Sequence, residues 1–123
     1  MRDYKKIRAF QYADQFVLAV YQATRLFPKE ELFGLTSQIR RAAVSVAANI
    51  AEGASRQHQK DYLHFLYMAR GSAAEAEYLL SLALRFSYVK SEKYVELDSL
   101  VKETSKIRFG LIQSVKKEAG KGL

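Results

Sequence analysis

Residues 35–55 read LTSQIRRAAVSVAANIAEGAS, and the spacing of their apolar side chains decides the fold class. One apolar residue recurs every three or four positions, which is the period of one face of an α-helix. This stripe consists of Leu35, Ile39, Ala43, Val46 and Ile50. The pattern predicts a helix over 35–55, with Thr36 as its N-cap.

Three further segments have the same period, at 4–27, 59–86 and 91–118. The first ends before Pro28, because the residue preceding a proline is disfavoured in a helix. The last is expected to begin with Ser91 as its N-cap and to fray over 119–123. The segment 59–86 keeps a four–three spacing typical of a coiled-coil-like seam. Its seam residues are Tyr62, Leu66, Ala69, Ala73, Ala76, Leu80 and Ala83.

Four helices joined by three short connections predict the architecture. Short connections make consecutive helices antiparallel neighbours, so we expect an all-α, antiparallel up-down-up-down four-helix bundle. The 123 residues are enough for a single domain, 1–123, with one core. Because 49% of the residues are hydrophobic, the composition is not that of a disordered chain.

The composition also excludes several classes of function. The chain has no cysteine, which rules out a disulfide scaffold, a zinc–thiolate site and a cysteine nucleophile. Absence of cysteine suits a reducing cytoplasm, and we expect a cytoplasmic protein. No apolar run approaches the length of a membrane span, and 16–21 is too short for a signal peptide, so no membrane partner is expected.

No group of residues predicts catalysis. A di-metal site in a bundle needs two Glu-x-x-His motifs, whereas only Asp61-x-x-His64 comes near, once. Glu75 and Glu77 are two positions apart on a helix and point in different directions. There is no phosphate loop and no dinucleotide motif. We therefore expect no enzyme, no metal, no cofactor and no small-molecule substrate.

Polar side chains form a ribbon along the second helix. They are Gln38, Arg41, Ser45, Asn49, Glu52 and Arg56, on average 3.6 residues apart. One interpretation is an ordinary solvent-facing stripe, which usually carries many lysines and glutamates. The other is a ribbon packed against a protein surface. This second interpretation is favoured because the ribbon has no lysine and is flanked by small alanines.

The third helix offers a matching surface. Gly71 lies in the middle of that helix, where glycine costs about 1 kcal/mol relative to alanine, and close packing would explain it. If the chain folds back at 57–58, two residues, one on each helix, lie at the same height along the bundle when their residue numbers sum to roughly 115–119. Arg41 is then expected to reach Glu75 or Glu77, and the Ser45 region to approach the third helix. The predicted packing or assembly ribbon comprises Gln38, Arg41, Ser45, Asn49, Glu52, Arg70, Gly71, Glu75 and Glu77.

Charge is concentrated at one end of the predicted bundle. The net charge is +7 and the pI about 9.7, which suggests an acidic partner such as nucleic acid. The basic pole, formed by 1–10, 50–62 and 112–123, holds nine cations against four anions, whereas 21–35 and 82–98 hold five of each. The nine are Arg2, Lys5, Lys6, Arg8, Arg56, Lys60, Lys116, Lys117 and Lys121. The pole could be a solvated basic terminus, a phosphate-binding face or a dock for an acidic protein.

The blocks QIRRAAVSVAANIAEG (38–53) and FLYMARGSAAEAE (65–77) carry a resemblance. They resemble the bacterial four-helix-bundle family named for proteins encoded in intervening sequences of 23S rRNA genes. The resemblance covers nearly the whole chain. The signature polar positions fall on Gln38, Arg41, Ser45, Asn49, Glu52, Gly53, Arg70, Gly71, Ser72 and Glu75. Where the family commonly has an aliphatic residue followed by proline, this chain has Val46 followed by Ala47.

This resemblance implies an antiparallel bundle that assembles as a ring-shaped homopentamer, with no established molecular function. The accessory proteins of diversity-generating retroelements are similar in fold, and they bind a reverse transcriptase and nucleic acid. Two hypotheses result. The first is a non-enzymatic oligomer that presents a basic face to RNA, to DNA or to a partner such as a reverse transcriptase. The alternative is a purely structural assembly.

Overall fold

Four antiparallel helices form the molecule, as the periodicity predicts. The computed structural model describes residues 2–121, apart from the side chain of Lys121. The helices are α1 (Arg8–Thr24), α2 (Leu35–Ala54), α3 (Gln59–Arg85) and α4 (Ser91–Lys121). Each helix packs on two neighbours, and no diagonal pair makes contact within the described residues. This is the arrangement of an up-down-up-down bundle, and the described part of the chain contains no strand.

The core follows the predicted stripes. All five apolar residues of the α2 stripe and all seven seam residues of α3 are buried. Alanine makes up a large part of the buried set, so the helices can approach closely. The predicted alignment of α2 against α3 is confirmed by Ser45 and Ser72. Their residue numbers sum to 117, and their hydroxyl oxygens lie 2.7 Å apart.

Two helix starts differ from the expectation. A 3-10 turn at Tyr4–Lys6 precedes α1, with Asp3 as its N-cap accepting a hydrogen bond from the Lys5 amide. The extended backbone of Ile7 separates this turn from α1. Thr36 is not the N-cap of α2, which begins one residue earlier. The Glu31 carboxylate accepts the Leu35 amide at 3.1 Å instead, and Thr36 is buried with no partner for its hydroxyl.

The loops at the end opposite the basic pole are tied together. The Tyr88 hydroxyl donates to Glu31 at 3.0 Å, which joins the α3–α4 loop to the α1–α2 loop. Ser87 takes a left-handed φ of 62°, and the Tyr88 amide closes the end of α3 on the Ala83 carbonyl. Ser91 is the first helical residue of α4 and therefore not its N-cap, which is the residue before the helix. The helix α4 continues through Lys121.

Candidate functional site

The basic pole is assembled around Arg2, which fastens the N-terminal segment to the α2–α3 turn. Its Nη1 donates to the carbonyls of Ala54 at 3.3 Å and Arg56 at 2.7 Å, and its Nη2 donates to the side chain of Gln59. The guanidinium also lies 4.3 Å from the centre of the Tyr62 ring. Arg2 therefore has a structural role, because its guanidinium links the N-terminal segment to the α2–α3 turn.

The Arg56 side chain also has partners within the chain. Its Nη2 lies 2.6 Å from a carboxylate oxygen of Glu52, one turn earlier, and its guanidinium covers the Phe65 ring at 4.6 Å. Both charged groups are exposed, so the pair contributes little to stability. An open depression of about 730 Å³ lies beside it, lined by Arg2, Ser55, Arg56 and Gln57.

Six of the remaining basic side chains of the pole form no ion pair with a described residue. Among the described residues, ion pairs form only at Arg56–Glu52, Lys93–Glu96 and Lys102–Asp98. None of these includes another described cation of the pole, and these described cations are exposed apart from the half-buried Arg2. The free, exposed cations are Lys5, Lys6, Arg8, Lys60, Lys116 and Lys117. The side chain of Lys121, the ninth predicted member, lies outside the described part of the chain.

At its centre the polar ribbon is a hydrogen-bonded seam between α2 and α3. Ser45 shares a hydrogen bond with Ser72, and the Asn49 amide donates to the Ser45 carbonyl at 2.8 Å and to its hydroxyl at 3.0 Å. All three side chains are half-buried. The asparagine inside an alanine-rich helix is therefore explained by this seam.

The expected pairing of Arg41 with Glu75 or Glu77 is wrong within the chain. Arg41 is exposed and donates from Nε and Nη2 to the Ser37 hydroxyl at 3.3 and 3.0 Å. The predicted register is correct, but Arg41 bonds to its own helix and forms no ion pair with α3 among the described residues. The other exposed members of the ribbon are Gln38, Glu52, Arg70, Gly71 and Glu75, while Glu77 is half-buried.

Replacing Arg41 with alanine should therefore have little effect on the unfolding of the isolated chain. An exposed side chain that contacts only its own helix contributes under about 0.5 kcal/mol. Urea denaturation at a protein concentration where the chain is monomeric measures this. A loss above about 2 kcal/mol would mean that Arg41 has a buried partner.

Close approach of α2 and α3 occurs at Gly53, and not at Gly71. A Cβ at Gly53 would lie 2.8 Å from the Phe65 Cβ and 3.0 Å from the Tyr62 ring, whereas one at Gly71 would have no neighbour within 4 Å. The sequence signal for this contact is the position of Gly53, at the end of the helix nearest the α2–α3 turn.

Arg108 is a functional candidate that the site prediction missed. It is only 5% exposed, and its Nε and Nη1 are enclosed with no hydrogen-bond partner. Burial lowers the pKa of Arg108, repulsion from Arg70 lowers it further, and attraction to Glu77 opposes both. The sequence feature that could have predicted its burial is its spacing, because Arg108 lies on the same helical face as the apolar residues Leu97 and Val101.

Neither a metal centre nor a membrane-spanning helix is found in the described residues. Histidine, aspartate and glutamate do not gather there in any group of three that could hold a metal ion. The described helices include none that is both long and apolar enough to span a membrane.

Comparison with known proteins agrees with the bundle. The family model described as 23S rRNA-intervening sequence protein matches residues 5–110. A crystal structure from Bacteroides thetaiotaomicron VPI-5482, of a protein of unknown function in the S23 ribosomal protein family, is 27% identical with a TM-score of 0.77. The match covers 85% of this chain and 95% of that one. No curated protein matches the sequence. The chain belongs to the 23S rRNA-intervening sequence protein family.

Proposed function

We propose that the protein is a non-enzymatic homo-oligomer, most simply a pentamer, whose basic pole binds the phosphates of RNA or DNA. In this proposal the nucleic acid is free or is held by a processing partner such as a reverse transcriptase. One observation carries the proposal: six exposed cations of one pole have no carboxylate partner within the described residues. Such unpaired cations are what binding to a phosphate backbone requires.

The structure of the pole supports a persistent surface. Arg2 joins the N-terminal segment to the α2–α3 turn, so the cations at 5–8 and at Lys60 belong to one connected unit. Lys116 on α4 lies 5.7 Å from the centre of the Tyr67 ring on α3, which brings the last helix into the same region. A fixed group of like charges attracts a polyanion more strongly than scattered ones do.

The outer face of α2 and α3 supports self-assembly. Beside the Ser45–Ser72 seam this face exposes Met68 by 44% and Tyr78 by 59%, together with Ala48 and Gly71. Small residues let a second backbone come close, and exposed apolar side chains favour burial in an interface. No lysine interrupts this face on α2. In the alternative, a purely structural assembly, the subunits would associate through the same face, and the basic pole would bind no nucleic acid.

Assembly predicts a defined mass. Native mass spectrometry should give a multiple of 14.0 kDa, with five copies the expected state. Gly71→Leu should preserve the helix content, because a Cβ at that position would meet no described atom within 4 Å, and should shift the mass toward the monomer. A parent protein that is monomeric at micromolar concentration would contradict assembly.

Binding at the pole predicts a localised loss of affinity. Changing Lys5, Lys6, Lys60 and Lys117 to glutamine should weaken binding to RNA and DNA of any sequence, because phosphate contacts carry no sequence information. The matched control changes Arg25, Lys29, Arg85 and Lys90, four exposed cations at the other pole. Fluorescence anisotropy at low salt measures both variants. Equal losses would mean diffuse attraction by the net charge, and no binding by the parent would favour the structural alternative.

A further inference from the structure

The end of the bundle opposite the basic pole exposes several large apolar side chains. This neutral pole carries the α1–α2 loop and the α3–α4 loop. Phe33 is 92% exposed and Leu26 84%, the two highest values for large apolar side chains in the described part of the chain. Leu32 and Phe86 are also exposed, by 50% and 56%. A single exposed apolar side chain is ordinary, whereas these four, the apolar patch, lie in two adjoining loops and indicate a contact surface.

The apolar patch is arranged around the Tyr88 ring. The centres of the Phe86 and Tyr88 rings lie 5.6 Å apart, and those of the Tyr88 and Phe27 rings 5.7 Å apart. Leu26 and Tyr88 line one open groove of about 500 Å³. Leu32 and Phe27 line a second depression on the other side of the α1–α2 loop. The exposed side chains of both loops therefore belong to one continuous surface.

The surface is held in place before any partner binds. The Tyr88 hydroxyl donates to Glu31 at 3.0 Å and so links the two loops. The Tyr88 amide donates to the Ala83 carbonyl at 2.8 Å and fixes the end of α3. Because the loops are already ordered, binding would cost little conformational entropy.

The charges of the neutral pole match those of a second neutral pole. Its segments 21–35 and 82–98 hold five cations and five anions. Lys29 and Glu30 are exposed neighbours, and neither forms an ion pair with a described residue; the same is true of Arg85 and Glu92. Two neutral poles would bring unpaired groups of both signs together without net repulsion, whereas two basic poles would repel each other. Charge therefore favours a second copy of this chain as the partner.

We propose that the neutral poles of two copies meet through the apolar patch, in a two-fold contact that buries Leu26 and Phe33. In such a contact each copy uses the same surface, so Lys29 and Glu30 of one copy meet groups of opposite charge on the other. Two loops form a small interface, so the contact is weak and forms above micromolar concentration. The two basic poles then face outward at opposite ends. Only their use as two phosphate-binding surfaces rests on the proposed function.

Sedimentation velocity over a concentration series, from micromolar to the highest soluble concentration, tests the contact. The mass found at micromolar concentration should double as the concentration rises. Leu26→Gln and Phe33→Gln should each weaken the doubling about tenfold or more, as loss of an apolar anchor does. Both positions are exposed, so both variants are expected to fold, which circular dichroism checks. Phe109→Gln, an equally apolar change at an exposed position in the half of α4 nearer the basic pole, should double like the parent.

A parent mass that stays constant over the whole series would overturn the proposal. So would full doubling in the variant that carries both Leu26→Gln and Phe33→Gln.

Exchanging charges tests whether the partner is a second neutral pole. Glu30→Lys makes this pole basic and Lys29→Glu makes it acidic, so each variant alone should double less than the parent. A mixture of the two should associate again, and more strongly at low salt, because the two poles then attract. A mixture that associates no better than either variant alone would contradict contact between neutral poles.

Gly71→Leu separates this contact from assembly through the outer face of α2 and α3. It should lower the mass at micromolar concentration and leave the doubling at high concentration unchanged. The variant with both Leu26→Gln and Phe33→Gln should lose the doubling and bind nucleic acid like the parent at low protein concentration. Failure of nucleic-acid binding would thus leave the doubling intact, and failure of the doubling would leave the binding intact.

Discussion

Gly53→Leu is expected to destabilise the bundle by at least about 3 kcal/mol, the upper part of the usual range for overpacking a core. Even a methyl group at this position would lie 2.8 Å from the Phe65 Cβ and 3.3 Å from the Tyr62 carbonyl oxygen. These neighbours are backbone or backbone-adjacent atoms, so they cannot move aside as the end of a flexible side chain would. The α2–α3 turn would have to open.

A second glycine provides the control. Gly110 lies in α4, is exposed, and a methyl group added there would have no neighbour within 4 Å in the described part of the chain. Gly110→Ala should stabilise the protein by about 1 kcal/mol through helix propensity alone. Urea denaturation at one fixed protein concentration measures both variants. A Gly53→Leu protein within about 0.5 kcal/mol of the parent would show that α2 and α3 are not in close contact there.

Arg108→Met is expected to stabilise the protein by about 1–4 kcal/mol in phosphate-free buffer, as other replacements of buried ionic groups by apolar ones have done. Methionine keeps the apolar stem and removes the two enclosed nitrogens that lack partners. Urea denaturation of Arg108→Met and of the exposed Arg70→Met tests this, and Arg70→Met should change little. A loss of about 3–5 kcal/mol on Arg108→Met, the cost of breaking a buried ion pair, would contradict it.

The pH dependence of this effect has a definite sign. The pKa of Arg108 is lowered in the folded state, so the folded protein holds that proton less tightly than the unfolded chain does. The destabilisation is fully present below the lowered pKa, and it shrinks as the pH rises through that value towards the ordinary pKa of arginine. The advantage of Arg108→Met should therefore be constant across neutral pH.

Apolar spacing was sufficient to predict the bundle. The seam of α3, from Tyr62 to Ala83, and the stripe of α2, from Leu35 to Ile50, are buried at every predicted position. A helix has one period, so the residues that share a face can be read without knowing what covers it. Length and short loops then leave few ways to pair four helices.

Side-chain contacts could not be predicted in the same way. The level of Arg41 relative to α3 follows from the register, but the conformation of its long side chain does not, and Arg41 donates to Ser37 on its own helix. Thr36 loses the N-cap role to a carboxylate four residues before the helix start. Arg108 is in step with an apolar stripe, and periodicity does not report whether a polar side chain has a partner.

The salt dependence of nucleic-acid binding by the parent protein tests the proposed function most directly. On duplex DNA each phosphate contact contributes about −0.9 to the slope of log K against log salt concentration. If the free cations of the basic pole hold the backbone, the slope should be about −3 or steeper. A slope near zero, or no binding at low salt, would contradict the claim that this pole binds phosphates.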